Sequence, residues 1–500
     1  MRRNVLLSVV LCLLLVASLG MAQKTLRFGV PVDPINLDPA QLSHMVAHRF
    51  VAFMYPTMLR YGDDLALIPH LAESFTIIDD ITYEFVLRDD VLFHHGEPVT
   101  AHHVEFSIRR IQDPDVPSPE AFEVAPITEI EIIDDHTFRL ITDEPFAPIM
   151  HGITFGLGIH SPQTVEEFGD LRFQGSGTGP FRLVEYRTDE IVVFERFDDY
   201  FGPTPPLDRI EFHVISDPVA RATALRAGDL DAARFQTTKG ALPLRGQPGL
   251  TVLSVGQPTI SHYHLNTRRE PFDDQRVRLA MSCALDRQAI ADIVFFGDAE
   301  PTGPIPPSMT AWALPTSEFE CYERDLDRSR ELLAEAGYPD GFSSTMIGNA
   351  GNPSDIEQLQ VMAEQFAEVG IQMDIRQLEW GEMLEMWITE KDFDTLMIGS
   401  ATGRDPDANF YRRFLSTSDR NTVGFQDAHV DDLMERGRTT IDPDERFEIY
   451  AELQRIITTE SPKIFTVQVP LYDVVWDHVE NWVLHPMGMY YFLDQVDINR

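Results

Sequence analysis

Basic residues are scarce in this chain: 40 Lys and Arg stand against 80 Asp and Glu in 500 residues. The only lysines are Lys24, Lys239, Lys391 and Lys463. A net charge of −40 repels phosphate backbones, which proteins grip through Lys and Arg, so no nucleic-acid partner is expected. Acid excess with so little lysine suits a salty habitat, where screening shortens the reach of self-repulsion. Cysteine is almost absent, with Cys12 in an N-terminal apolar run and only Cys283 and Cys321 beyond it, which excludes a disulfide framework. Cys283 sits among apolar residues at helical spacing in VRLAMSCALD and reads as a buried free thiol, its pairing with Cys321 left open. Nucleophile and hydrolase motifs are missing too: there is no GxSxG and no HExxH, and GSGTG at 175–179 lacks the Lys and spacing of a phosphate loop. Acidic pairs such as Asp79-Asp80 and Asp198-Asp199 are expected by chance at this composition and carry no case for acid–base catalysis.

Apolar runs long enough for a membrane are missing beyond the first residues. MRRNVLLSVVLCLLLVASLGMAQ has Arg2 and Arg3, an uncharged run from Val5 to Val16, then Gly20 and Ala22 before Gln23, the pattern of a cleaved secretion signal over residues 1–22. The run falls short of the ~20 residues that span a bilayer. No Cys stands at the cleavage point, so a soluble periplasmic protein without a lipid anchor is expected.

The remaining length exceeds what one core supports, roughly 250–300 residues, so at least two lobes are expected. From Thr25 the chain shows short β-rich runs, TLRFGV, SFTIID, YEFVLR, EIEIIDDHTFRLIT, FRLVEY and EIVVFER, bounded by Gly, Pro and Asp-Asp turns. TAHHVEFSIRRI is the clearest helix of this half, with Thr100 as its cap and Val104, Phe106, Ile108 and Ile111 as its apolar face. After about residue 260 helix and strand alternate: Asp273 or Asp274 caps VRLAMSCAL, Asp286 caps RQAIADIVFF, and RSRELLAEA stops at Gly337. SDIEQLQVMAEQFAEV stops at Gly370, IQMDIRQL is a strand, GEMLEMWIT a helix and DTLMIG a buried strand. PKIFTVQV and LYDVVWDHV read as two further strands. The fold class is α/β, with mixed sheets.

RDDVLFHHGEPVTAHHVEFSIRRI, at 88–111, holds two His-His pairs. Adjacent residues point to opposite faces of a strand and lie ~100° apart on a helix, so His94, His95, His102 and His103 do not simply converge on a metal. They are read as a capping and hydrogen-bonding turn; a secreted metal-dependent enzyme using them is the competing function. No metal or cofactor is expected.

NTRREPFDDQRVRLAMSCALDRQAI, from Asn266 to Ile290, resembles the signature of the large periplasmic solute-binding proteins of the peptide, opine and nickel ABC-importer family. INLDPA, PHLAES, GTGPFRL, AGDLDAA and LLAEAGYPDGF follow the same family's order across nearly the whole chain. The resemblance implies a two-lobed binding protein with ligand enclosed by hinge closure: lobe I at 23–260 with a C-terminal return at 476–500, and lobe II at 261–475. It implies binding rather than turnover, delivery to an inner-membrane ABC permease and ATPase complex, and a small polar solute, peptide-like or opine-like. A monomer is expected, with hinges near 260–265 and 470–478.

Site residues follow from the same resemblance. In peptide-binding relatives a segment like DTLMIGSATGRDPDANFYRRF carries Gly-Trp-x-x-Asp, whose Asp meets the peptide's α-amino group. Counting from Gly399 places Ser400 at the Trp and Gly403 at the Asp, so both diagnostic residues are missing. Arg404, Asp405 and Asp407 replace them, and Arg404 is expected to face an anionic ligand. Trp380 matches a family Trp that lines the cleft, and Tyr263 and Asn266 lie at the crossing into lobe II. GTGPF is read as a turn near the cleft.

Overall fold

A computed structural model describes residues 23–42, 45–62, 65–119, 121–401 and 405–499. The expected leader, Gly403 and Arg404 lie outside the described residues.

Two long strands organise the molecule. Leu250–Leu265 and Lys463–Trp476 pair antiparallel along their length at the centre of an eleven-stranded sheet. On one side, strands Thr395–Ala401, Ser343–Asn349 and Gln372–Leu378 extend the sheet, the outer two joined in parallel. On the other follow Ala232–Phe235, Thr25–Val30, Arg209–Val214, Ile191–Arg196 and Phe181–Arg187. The first set belongs to lobe II and the second to lobe I. The two lobes are thus halves of one sheet, joined by the long pair. Sequence grammar split Lys463–Trp476 at Pro470, because proline donates no ladder hydrogen bond. The strand continues because Pro470 faces Gly256 at the edge of a register shift, which runs from Gly256 to Ile260 and leaves Pro258 within it. Bulges are where a sheet tolerates proline.

Each lobe has its own core. In lobe II, helices Gln275–Ala284, Arg287–Phe295 and Pro353–Ala367 bury Val277, Met281, Ile290 and Phe366 against the sheet. Asp274 and Asp286 cap the first two helices, the carboxylates accepting from Arg276 N and Ala289 N. Cys283 is bonded to Cys321, so the free-thiol expectation is corrected: a loop entering helix Leu326–Glu335 folds back over the first helix and brings the two Cα atoms to 4.3 Å. In lobe I, Phe28, Phe50 and Phe212 pack with Tyr490, Leu493 and Val496, so the C-terminal tail completes the first core. A separate four-stranded sheet, in the order Ala72–Asp79, Thr82–Leu87, Thr137–Thr142, Ile127–Ile132, carries helix Ala101–Gln112 on its face. That helix buries His103 and leaves Phe106 half-buried, a rotation of the face read from sequence. Among the described residues, no helix is long and apolar enough to cross a membrane.

Candidate functional site

The paired histidines are absorbed by this scaffold. His94 Nε2 meets Gly179 O at 3.0 Å and its Nδ1 accepts from Gly177 N at 3.2 Å. His95 bridges Ser176 Oγ and Glu97, and His103 Nδ1 accepts from Thr100 N at 3.0 Å, closing the helix start. His102 is exposed. The Gly175–Gly179 turn that they hold packs against the end of helix Met45–Met54 and does not border the cleft: a Cβ on Gly177 would stand 2.0 Å from Met54 O, and one on Gly179 2.1 Å from Phe53 O.

A cavity of about 620 Å³ lies between the lobes. Its lobe I wall is aromatic, with Phe122, Phe146 and Phe155, and carries Glu123 and His151. His151 accepts or donates at 2.8 Å with Tyr61 Oη and stands 3.8 Å from the Glu123 carboxylate. The lobe II wall is basic: Arg412, Arg413, Arg438 and Lys463, with Trp387, Ser400, His262 and His264. Contacts span the mouth, so the lobes are closed on each other. The Arg412 guanidinium stands 5.0 Å over the Phe122 ring, Arg438 stands 5.2 Å from Phe146, and Ala147 N donates to Arg438 O at 2.9 Å.

Asp405 and Asp407 border this cavity already engaged. Asp405 accepts a fork from Arg446 at 2.6 and 2.7 Å; burial disfavours its charge, but the guanidinium outweighs burial and holds the carboxyl below its usual range. Asp407 lies 3.3 Å from Arg438, and burial, with Asp405 beside it, pushes its pKa up to about 6. Ser400 borders the cavity as well, its Oγ 2.6 Å from His262 Nε2.

Three sequence candidates do not meet there. Tyr263 alternates with His262 and His264 along the strand, so it points to the opposite face, into the lobe II core, where its hydroxyl pairs with Thr395 Oγ1. Asn266 is buried and ties Lys391 O and Phe393 O. Trp380 opens the helix Trp380–Leu384, 45% exposed and outside the cavity lining. One helical turn and a π-turn later, Trp387 supplies the aromatic instead.

Sequence reasoning missed Arg413 and Lys463. The signal was present: one of four lysines, followed at once by the apolar run IFTVQV. Lys463 is 3% exposed. Burial, reinforced by Arg413, pushes its pKa well below the usual lysine range. Burial, reinforced by Arg412, lowers Arg413 to about 10. Burial first and Lys463 next push both His262 and His264 well below 6.5, which keeps the imidazoles neutral at neutral pH.

A ligand cavity at the junction of two lobes that share one sheet is the architecture of a solute-capturing protein, and the comparisons with known proteins agree. Residues 66–422 match the profile of bacterial extracellular solute-binding proteins, family 5 Middle. The chain belongs to that family. It is 31% identical to the di/tripeptide-binding protein 2 of Pseudomonas aeruginosa over 94% of both chains. It is 28% identical to the glutathione-binding protein GsiB of Salmonella typhimurium, over 96% of this chain and 95% of that one. Among solved structures, the ABC transporter substrate-binding protein CtaP of Listeria monocytogenes superposes with a TM-score of 0.87 at 24% identity, covering 95% of this chain and 99% of that chain. The periplasmic binding protein DppA of Helicobacter pylori, solved with the peptide STSA, gives 0.77 at 25% identity over 95% and 98%. This family member is a solute-binding protein of the ABC-importer type, with the two-lobed α/β fold.

Proposed function

We propose that the protein captures a short peptide or peptide-like zwitterion in the periplasm and hands it to an inner-membrane ABC permease with its ATPase. One observation carries the reading: the cavity has two poles. Lobe I carries the carboxylate of Glu123, 3.8 Å from His151, lobe II carries the cations, and the two lobe II acids on the wall face Arg446 and Arg438. A zwitterion satisfies both poles at once, and the aromatic side wall suits the apolar parts of side chains. The relatives that bind di- and tripeptides or glutathione support the size class. No chemical step is asked of the site: retention and release are the work.

The protein leaves the cytoplasm through the leader at 1–22, is cut before Gln23 and carries no lipid, which N-terminal sequencing of secreted protein tests. Titration calorimetry with dipeptides, tripeptides and glutathione tests the ligand class. Saturable 1:1 binding to at least one of them is expected; heat-silent titrations across the whole set contradict it.

A further inference from the structure

We propose that Lys463, Arg413 and Ser400 form a carboxylate-binding subsite on the lobe II wall, with His262 and His264 as a relay that fixes the direction of the Ser400 hydroxyl. The proposal rests on reading the cavity as the solute site.

Lys463 is the first observation. Its ammonium lies 4.8 Å over the Phe414 ring, and among the described residues it has no carboxylate and no hydrogen-bond acceptor. Arg413 spends one N–H on Ala401 O at 2.8 Å and has no carboxylate either. Buried cations elsewhere in this chain are answered. Arg234 has Asp473, Arg446 has Asp405 and Arg278 has Glu460, while Arg221 and Arg287 donate to backbone carbonyls. With 80 acids available, a buried lysine left without one is not a consequence of composition, and Arg413 beside it adds a second cation and no counter-charge. An enclosed cation lacking a counter-charge is costly, and an anion arriving from outside relieves that cost.

The relay is the second observation. The Trp387 indole N–H donates to Thr422 Oγ1 at 2.8 Å, and an indole can only donate. Thr422 Oγ1 meets His264 Nδ1 at 3.5 Å, His264 Nε2 meets His262 Nδ1 at 2.7 Å, and His262 Nε2 meets Ser400 Oγ at 2.6 Å. Thr422 is buried, and among the described residues His264 Nδ1 is the one acceptor near its hydroxyl. The threonine therefore donates to His264, and each neutral imidazole passes a hydrogen bond onward. Ser400 accepts, and its own hydrogen is left for the cavity. Ammonium, guanidinium and hydroxyl then present donors on one wall, matching the four lone-pair positions of a carboxylate. Glu123, Asp405 and Asp407 border the same cavity, which disfavours a dianionic phosphate and favours a single negative charge on a zwitterion.

The test titrates the full secreted protein with trialanine and trialanine amide, in wild type, Lys463→Met and Ser400→Ala. In wild type the free acid is expected to bind roughly 30-fold or more tighter than the amide, and Lys463→Met to erase that difference. Ser400→Ala, which keeps the cations, should weaken the acid several-fold and leave the amide unchanged. The unliganded Lys463→Met protein should melt at the wild-type temperature or above; a lysine serving the fold alone would lower it. Equal affinity for acid and amide, or an unchanged acid affinity in Lys463→Met, overturns the subsite. If neither peptide binds, the peptide reading fails instead, and acetate and phosphate at matched ionic strength decide the subsite. An acetate-specific rise in melting temperature that Lys463→Met abolishes supports it, whereas no acetate effect, or a shift with phosphate alone, overturns it.

Discussion

Asp405 and Lys463 border one cavity and illustrate opposite uses of a buried charge. Asp405 is matched by the Arg446 fork, so Asp405→Asn strands a guanidinium that is itself buried. Removing one partner of such a pair costs about 3–5 kcal/mol, and urea unfolding of the unliganded variant should show that loss. Among the described residues Lys463 is unmatched, and burial penalises its charged form instead of a partner stabilising it. Its folded pKa is depressed by burial, so between that value and the ordinary lysine range the unfolded chain holds a proton that the folded protein has released. Stability of the unliganded protein therefore rises with pH through this window. Among the described residues, Arg413, Phe414, His262 and His264 face the ammonium, and none of them supplies a negative charge. Unfolding midpoints measured across mildly alkaline pH should rise in wild type and flatten in Lys463→Met; parallel curves would mean that the lysine is solvated in solution.

At the level of elements, the Cys283–Cys321 bond closes a loop of sequence separation 38 at the base of lobe II. Loop-closure entropy puts its worth at up to about 4 kcal/mol. Cys321→Ser should lower the unfolding midpoint of lobe II and leave solute affinity unchanged, since both cysteines lie outside the cavity lining. Much of this level was legible in sequence. Caps at Thr100, Asp274 and Asp286 and the alternating helices and strands after 260 are local patterns, and local patterns are set by nearby residues. Single-sheet continuity between the lobes was not legible, because it depends on pairing Leu250–Leu265 with a strand some two hundred residues later. The disulfide escaped for the same reason. In the site, the DPD acids and Ser400 sit on the wall, but Tyr263 faces the core by strand alternation. Lys463 was marked by its rarity in front of an apolar run, but a strand's own sequence does not say which of its buried faces meets a cleft.

Taken whole, the molecule is two lobes hung on two strands that carry a register shift and one proline each, Pro258 and Pro470. We propose that closure pivots there, at 256–260 and 468–470, slightly before the positions suggested by sequence. Lys239 with Glu357, and Arg245 with Asp298 at 2.8 Å, also join the lobes, away from the cavity lining. Small-angle scattering should give a smaller radius of gyration with saturating solute than without it. Equal radii would contradict hinge closure. With net charge −40, the unliganded protein should also gain stability with added salt as self-repulsion is screened.

The most direct measurement is mass spectrometry of whatever small molecule is released on denaturing protein purified from its native source. One stoichiometric solute, zwitterionic and bearing a free carboxylate, is the expected result. A stoichiometric ligand with no carboxylate or other negative charge would contradict the central claim that this cleft captures its solute through an anion-binding wall.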